Sequence, residues 1–401
     1  MWPSVADLAI RAAHLRAILF TELTLAGLAA AAVVALVGRR LGPAARERLA
    51  VGASLALVVW FAGPGATSAL VAWALALVAV VEAGGASGAA RAAVAVLLAV
   101  LVAAPVLAIG PLGDAGPHAR EFVAFATNML LLRAIGYARE RRQGVLGFPG
   151  VTGALRALFF FPTFVNGPVE TPRTALAAPI GIATAADVRT GLGRIARGAA
   201  KMTLVALALP PRWTQVLSGA PEAGALSLWT VAVGLWVWFY LAFSAWSDVA
   251  IGLARLCGVR VVENFDRPWR ATDPSDFWRR WHVSLGAWLR DVVYVPLGGN
   301  RRHRAANVLA VFLVSGAWHV WGTLKLLGFG YYPPRAWLGF FVWAVLHAAA
   351  VSVAGRGRGV AAQAATFLFA AFAWMPFFMP ADVTAAELAR VLLRMLVPLV
   401  P

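Results

Sequence analysis

The sequence predicts an all-α, polytopic membrane protein, and three observations carry that expectation. Hydrophobic residues fill 61% of the 401 positions and charged residues only 13%, against about 45–50% and about 25% in soluble domains. Apolar stretches recur along the whole chain, several of them close to the roughly 20 residues that cross a bilayer. The charge is also unevenly placed. The formal net charge is +17, Lys201 and Lys325 are the only lysines, and the arginines cluster between the apolar stretches. In hydrocarbon the backbone must satisfy its own hydrogen bonds, which selects helices. A soluble chain this basic would suggest nucleic acid. Spaced between apolar runs, the arginines read instead as cytoplasmic loops held by the positive-inside rule and by anionic lipid. The bilayer is the expected partner, and nucleic acid is not.

Segments near 23–38, 50–62, 67–82 and 92–110, filled with Ala, Val and Leu, read as spanning helices. They are separated by Gly38-Arg39-Arg40, by Pro43 to Arg48 and by Gly84 to Arg91. Their small residues allow close helix packing. Leu25–Val37 reads as an uncleaved anchor, because Asp7, Arg11, Arg16 and Glu22 interrupt the region before it. A helix near 121–138 ends in Arg139-Glu140-Arg141-Arg142, a cytoplasmic flank by charge. The aromatic run from Phe159 to Pro168 contains Pro162, Gly167 and Pro168. These break a continuous helix and suggest a re-entrant or interfacial segment. A basic amphipathic stretch with Arg189, Arg194, Arg197 and Lys201 precedes a long apolar helix near 224–247, whose end carries Ser244, Trp246, Ser247 and Asp248.

Residues 263–304 are the most polar part of the chain, with Trp269, Trp278, Trp281, Trp288 and Tyr294 set among arginines, a composition suited to a membrane interface. Further spans are expected near 305–321, 335–353, 360–379 and 384–400, for roughly ten to twelve in all. Cys257 is the single cysteine, so no intramolecular disulfide is possible, and its apolar surroundings suggest a buried, inert thiol.

Ionisable residues inside a membrane are costly and point to function. His282 lies in Phe277-Trp278-Arg279-Arg280-Trp281-His282-Val283-Ser284-Leu285, and His319 in Val314-Ser315-Gly316-Ala317-Trp318-His319-Val320-Trp321. The second environment is almost wholly apolar. A histidine desolvated there stays neutral, the form that a general base requires. Taken alone, His319 fits a structural histidine bonded to a neighbouring helix slightly better than a catalytic one. No grouping of His, Cys and carboxylates has metal-site spacing, and no metal is expected.

The longer string from Asp276 to Leu285, followed by Trp288-Leu289-Arg290-Asp291-Val292-Val293-Tyr294-Val295-Pro296-Leu297-Gly298-Gly299-Asn300-Arg301, resembles the signature of the membrane-bound O-acyltransferase (MBOAT) family. It is most similar to the branch containing the integral-membrane component of alginate O-acetylation. Phe243 to Gly252, Glu263-Asn264-Phe265 and Phe161-Pro162-Thr163-Phe164 with Gly167-Pro168 resemble the same branch. Ser315-Gly316-Ala317-Trp318-His319 resembles the block that bears the family's catalytic histidine, and Trp343-Ala344-Val345-Leu346-His347 a further block in which histidine is common.

The resemblance covers roughly residues 120–350 and implies one integral-membrane domain over 1–401. Variable N-terminal helices would occupy 1–119, the core 120–350 and further helices 351–401, around a central tunnel. It implies that His319 is the catalytic base and that His282, 37 residues earlier, orients the acyl carbonyl or stabilises the oxyanion. The donor would be acetyl-CoA or a similar thioester at the cytoplasmic side, with no tightly bound cofactor. The acceptor would be a hydroxyl of an extracytoplasmic polysaccharide, or of a partner protein that relays the acyl group, with the chain in the cytoplasmic membrane.

Arg279, Arg280 and Arg290 suit the phosphates of such a donor, and equally suit interfacial anchoring or pairing with Asp276 and Asp291. Trp281 and Trp318 flank the two histidines and are candidates for substrate contact. Asp248 either lines the tunnel or pairs with an arginine, the latter being favoured. Gly298-Gly299-Asn300 reads as a turn, not a phosphate loop, and His347 reads as structural. Two other activities fit parts of the pattern: D-alanyl transfer to a cell-wall polymer, and transport or export without acyl chemistry.

Overall fold

The computed structural model describes residues 5–84, 87–108, 119–207, 216, 219–327, 336–379 and 383–397. His118 and the last residues of the 384–400 segment lie outside them. The described chain is helical and contains no strand; its one isolated bridge joins Phe265 and Trp281. In chain order the α-helices are α1 (Val5–Gly38), α2 (Pro43–Gly84), α3 (Gly88–Ala108), α4 (Ala119–Arg142), α5 (Gly150–Phe159), α6 (Phe161–Phe164), α7 (Pro172–Ala175) and α8 (Ala185–Leu207). They continue with α9 (Ala225–Leu256), α10 (Pro274–Arg280), α11 (Val283–Leu289), α12 (Arg304–Leu327), α13 (Ala336–Val353), α14 (Gly359–Phe378) and α15 (Ala385–Leu396).

Among the described residues, four helices are long and apolar enough to cross a bilayer: residues 19–38 of α1, and the whole of α2, α9 and α14. The other segments expected to span are shorter among the described residues, or carry polar side chains such as Arg133 in α4; α8 is the basic amphipathic helix expected from its sequence. The two spans expected over 50–62 and 67–82 are halves of the single 42-residue helix α2, in which Gly63 takes a non-helical φ of 80° just before Pro64. A residue before proline is driven out of the α region, and glycine alone reaches positive φ without strain. Pro43, expected in a loop, opens this helix at the position where proline is tolerated.

The C-terminal segment corrects the expectation of a span. Its helix α15 has 12 residues, about 18 Å at 1.5 Å per residue, short of the roughly 30 Å hydrocarbon layer. It is amphipathic, burying Leu388, Val391 and Met395 beneath Glu387, Arg390 and Arg394, and a Thr384–Glu387 capping box starts it.

The chain divides into two compact units interleaved in sequence. One, the scaffold unit, comprises 18–200 and 245–263. The other, the histidine unit, comprises 1–17, 201–244 and 264–401.

In the scaffold unit α2 packs against α3, α4 and α5. The aromatic run expected to be re-entrant is broken at Phe160, between α5 and α6, and is buried from Phe159 through Val165. Non-helical backbone survives in such a place only when protein satisfies it. Arg133 does so, donating to Leu158 O at 3.2 Å, Thr163 O at 2.7 Å and Thr163 Oγ1 at 2.6 Å. Ser54 Oγ accepts from Phe161 N at 3.1 Å. Arg156 donates to Glu47 and to the carbonyls of Ala175 and Ala178. Burial pushes the nearby Glu170 carboxyl up to about 7, against the charges of Arg133 and Arg156.

Helix α8 meets the C-terminal part of α9 at glycine: a Cβ on Gly252 would lie 2.6 Å from Gly191 O, so the backbones touch as small residues permit. Cys257, just beyond α9, is buried as expected.

In the histidine unit α12 packs along α13, and α13 along α14. Their core is aromatic, with Trp236, Phe277, Trp281, Trp343 and Trp374 all nearly inaccessible. The short helices α10 and α11 carry the polar sequence of 263–304 and pack on one another, and α10 packs on α13 and α14.

Candidate active site

A cavity of about 380 Å³ opens in the histidine unit, and both His282 and His319 line it. Its wall is otherwise mostly aromatic and aliphatic, including Phe239, Phe243, Trp278, Trp281, Phe312, Trp343 and Trp374, with Arg279, Arg290, Tyr294, Ser275 and Ser315 as polar members. This volume sits at the lower end of small-ligand sites, which measure about 300–1,000 Å³ and are largely apolar with a few placed polar groups.

His319 projects from α12, and its Nδ1 lies 2.6 Å from Ser315 O, one turn earlier. A carbonyl oxygen only accepts, so Nδ1 bears the proton and the neutral ring carries its lone pair at Nε2. Trp343 and Phe377 pack on the ring at centroid distances of 6.1 and 5.7 Å.

His282 sits at the junction between α10 and α11, with φ 46° and ψ 50°. Positive φ is uncommon outside glycine and persists where the surroundings impose it. The imposing residue is Asn264, which is fully buried. Its backbone oxygen accepts from Val283 N at 2.9 Å. Its Oδ1 lies 2.9 Å from His282 Nδ1 and accepts from Ser284 Oγ at 2.7 Å. With Oδ1 accepting both bonds, His282 also holds its proton at Nδ1 and its lone pair at Nε2. Burial, with the His319 ring nearby, holds His282 far below the ordinary histidine range, so it is neutral. Phe243 packs edge-on against it at 4.6 Å.

After α11 the chain continues in π-helical form over Arg290–Tyr294, an arrangement common at functional sites. It places Arg290 and Tyr294 on the cavity, and Tyr294 OH donates to Asn300 Oδ1 at 2.7 Å. The Gly298-Gly299-Asn300 segment is a turn, as expected, with Gly298 and Gly299 at positive φ.

Of the candidate residues, His282, His319, Arg279, Arg290 and Trp281 line the cavity. Arg280 does not. It bonds Asp276 Oδ2 at 2.9 Å and Asp266 Oδ2 at 3.2 Å. Burial pushes the Asp276 carboxyl up, but the Arg280 hydrogen bond and charge outweigh it and hold Asp276 below the usual carboxylate range. Trp318 is also absent from the wall, whereas Val311, Phe312, Ser315 and His319, which recur at three- and four-residue spacing on α12, line it. Asp248 lies in the scaffold unit and pairs with arginines: Arg197 bonds both its oxygens, at 3.0 and 2.6 Å, and Arg194 Nε lies 3.2 Å away. Asn264 was not singled out from the sequence, although it stands within the Glu263-Asn264-Phe265 block. An asparagine bordering a polar loop gives no sign of what it bonds. Among the described residues no group of three or more His, Cys, Asp or Glu side chains could hold a metal.

A helical membrane protein with two neutral histidines on one aromatic-walled cavity is the class that the fold and site define. Residues 158–332 match the model of MBOAT, the membrane-bound O-acyltransferase family. It is 35% identical over 159 residues to the probable alginate O-acetylase AlgI of Pseudomonas syringae pv. tomato, covering 37% of this chain and 28% of that protein. It is 34% identical over 141 residues to the peptidoglycan O-acetyltransferase of Helicobacter pylori, covering 34% and 24%. It is 29% identical over 215 residues to the teichoic acid D-alanyltransferase of Streptococcus thermophilus, covering 47% and 50%. The chain thus spans under a third of the alginate O-acetylase it matches.

Proposed function

We propose that this protein is a membrane O-acyltransferase that moves an acyl group, acetyl by its similarity to the alginate branch, from a thioester to a hydroxyl. The observation that carries the reading is the presence of both His282 and His319 on one cavity. The acceptor hydroxyl binds near His319 Nε2. As its oxygen attacks the thioester carbonyl, its proton passes to Nε2. The carbon–sulfur bond then breaks, and the thiolate leaves with that proton. General-base assistance of this kind contributes about 10²–10⁴-fold.

The oxyanion role expected for His282 needs a proton at Nε2, and the bond to Asn264 places that proton on Nδ1. His282 Nε2 then acts as an acceptor for a second donor of the bound substrate, such as a neighbouring hydroxyl or amide N–H, since the reacting hydroxyl gives its one proton to His319. Arg279 and Arg290, exposed beside the cavity and each bonded to an aspartate, are placed to meet donor phosphates. The donor in this reading is acetyl-CoA or a similar thioester. The acceptor is an extracytoplasmic polysaccharide or a relay protein, and the location is the cytoplasmic membrane. The long match to a D-alanyltransferase supports D-alanyl transfer as a second reading of the same chemistry.

The test is thiol release from acetyl-CoA by the purified chain in lipid nanodiscs, with mass spectrometry of the acylated acceptor. Acceptor-dependent thiol release is expected. A chain that consumes neither acetyl-CoA nor a D-alanyl thioester would overturn the proposal.

A further inference from the structure

We infer that His347 is a positioning residue for the cavity wall that a bound thioester meets, acting through Trp278; the inference rests on the acyl-transfer reading. His347 lies on α13, is wholly buried and does not line the cavity. Its Nδ1 accepts from Trp278 Nε1–H at 3.3 Å. An indole nitrogen only donates, so the neutral His347 ring carries its own proton at Nε2. That nitrogen is buried without a hydrogen-bond partner. The ring is boxed by aromatics, with Phe277 and Phe312 nearly parallel to it at 11° and 15°. A phenylalanine would fill this place without the cost of burying an unmatched N–H. The Trp278 bond is what histidine adds.

Trp278 does line the cavity, beside His282 and Arg279. The bond to His347 occupies the one polar group of its indole, so Trp278 presents an apolar surface to the cavity. The same bond ties α13 to α10, the helix that leads through Trp281 to His282. Removing the acceptor leaves an unpaired indole N–H in the wall and frees the ring to turn. That loss acts on the bound substrate and on its transition state alike, which raises KM and spares kcat.

The test compares wild type, His347→Phe, Trp278→Phe, the double variant and His347→Asn in nanodiscs, with acetyl-CoA as the varied substrate. One net hydrogen bond corresponds to a roughly three- to tenfold rise in KM for either single variant, with kcat held within about twofold. The double variant is expected to be no worse than either single one, because both remove the same bond. In His347→Asn, Oδ1 replaces Nδ1 as acceptor, and most of the KM should return. Unchanged KM in an active protein, or single effects that multiply in the double variant, would overturn this inference alone. A wild type without thiol release would overturn the acyl-transfer reading and this inference with it. Should His347→Phe fail to accumulate, Trp278→Phe carries the test. It must raise KM, and His347→Asn must then have no further effect.

Discussion

The two units handle buried polarity in opposite ways. In the scaffold unit the buried charged groups are mostly paired: Arg133 with carbonyls, Arg156 with Glu47 and carbonyls, and Asp248 with Arg194 and Arg197. In the histidine unit the polar groups of the aromatic core are neutral rings. His347 Nε2 and the indole nitrogens of Trp236, Trp343 and Trp374 are buried there without hydrogen-bond partners. A buried charge is tolerated when its partners satisfy it, and then it fixes structure. Neutral imidazoles beside a cavity keep a lone pair for chemistry. In the proposed reading, the arginines of the first unit serve folding and His282 and His319 of the second serve the reaction.

The largest effect that would break this division lies at Arg133. Arg133→Met leaves the Leu158 and Thr163 carbonyls without their donor in a buried break. Losing one member of a buried charged network costs about 3–5 kcal/mol. We expect the variant to lose most of its folded yield, read by size-exclusion chromatography and thermal unfolding in detergent. Normal yield and melting temperature would show that the scaffold does not depend on this network.

A smaller effect sharpens the other side. Asn264→Ala removes the side-chain acceptor that holds His282 in its tautomer, while the backbone bond to Val283 N remains. The expected result is about a tenfold fall in kcat, as for roughly 1.4 kcal/mol of lost orientation, in protein of near-normal yield. Full activity would remove His282 from the reaction.

Much of this was legible in the sequence because hydropathy and charge act locally. The long apolar helices, the broken aromatic run and the polar 263–304 segment all follow from composition within a short window. The misread elements are those where tertiary contacts decide. Residues 384–400 are apolar enough on average to suggest a span, but Glu387, Arg390 and Arg394 lie on one face of a short surface helix. Pro43 reads as loop punctuation until its place at a helix start is seen. The histidines stood out because an ionisable residue in an apolar run is visible one residue at a time. Their tautomers were not, because Ser315 O and Asn264 Oδ1 set them. Trp374 and Phe239 reach the cavity from helices remote in sequence, so no local pattern could join them to His282. Trp318 shows the converse: it adjoins His319 in sequence, and helix geometry turns it from the wall.

The central claim is that His319 Nε2 takes the proton of the acceptor hydroxyl. The most direct measurement is single-turnover thiol release from acetyl-CoA by His319→Ala in nanodiscs, compared with wild type at matched folded concentration. A fall of about 10²–10⁴-fold in rate, with acetyl-CoA still bound, is predicted; a rate within a few-fold of wild type would contradict it.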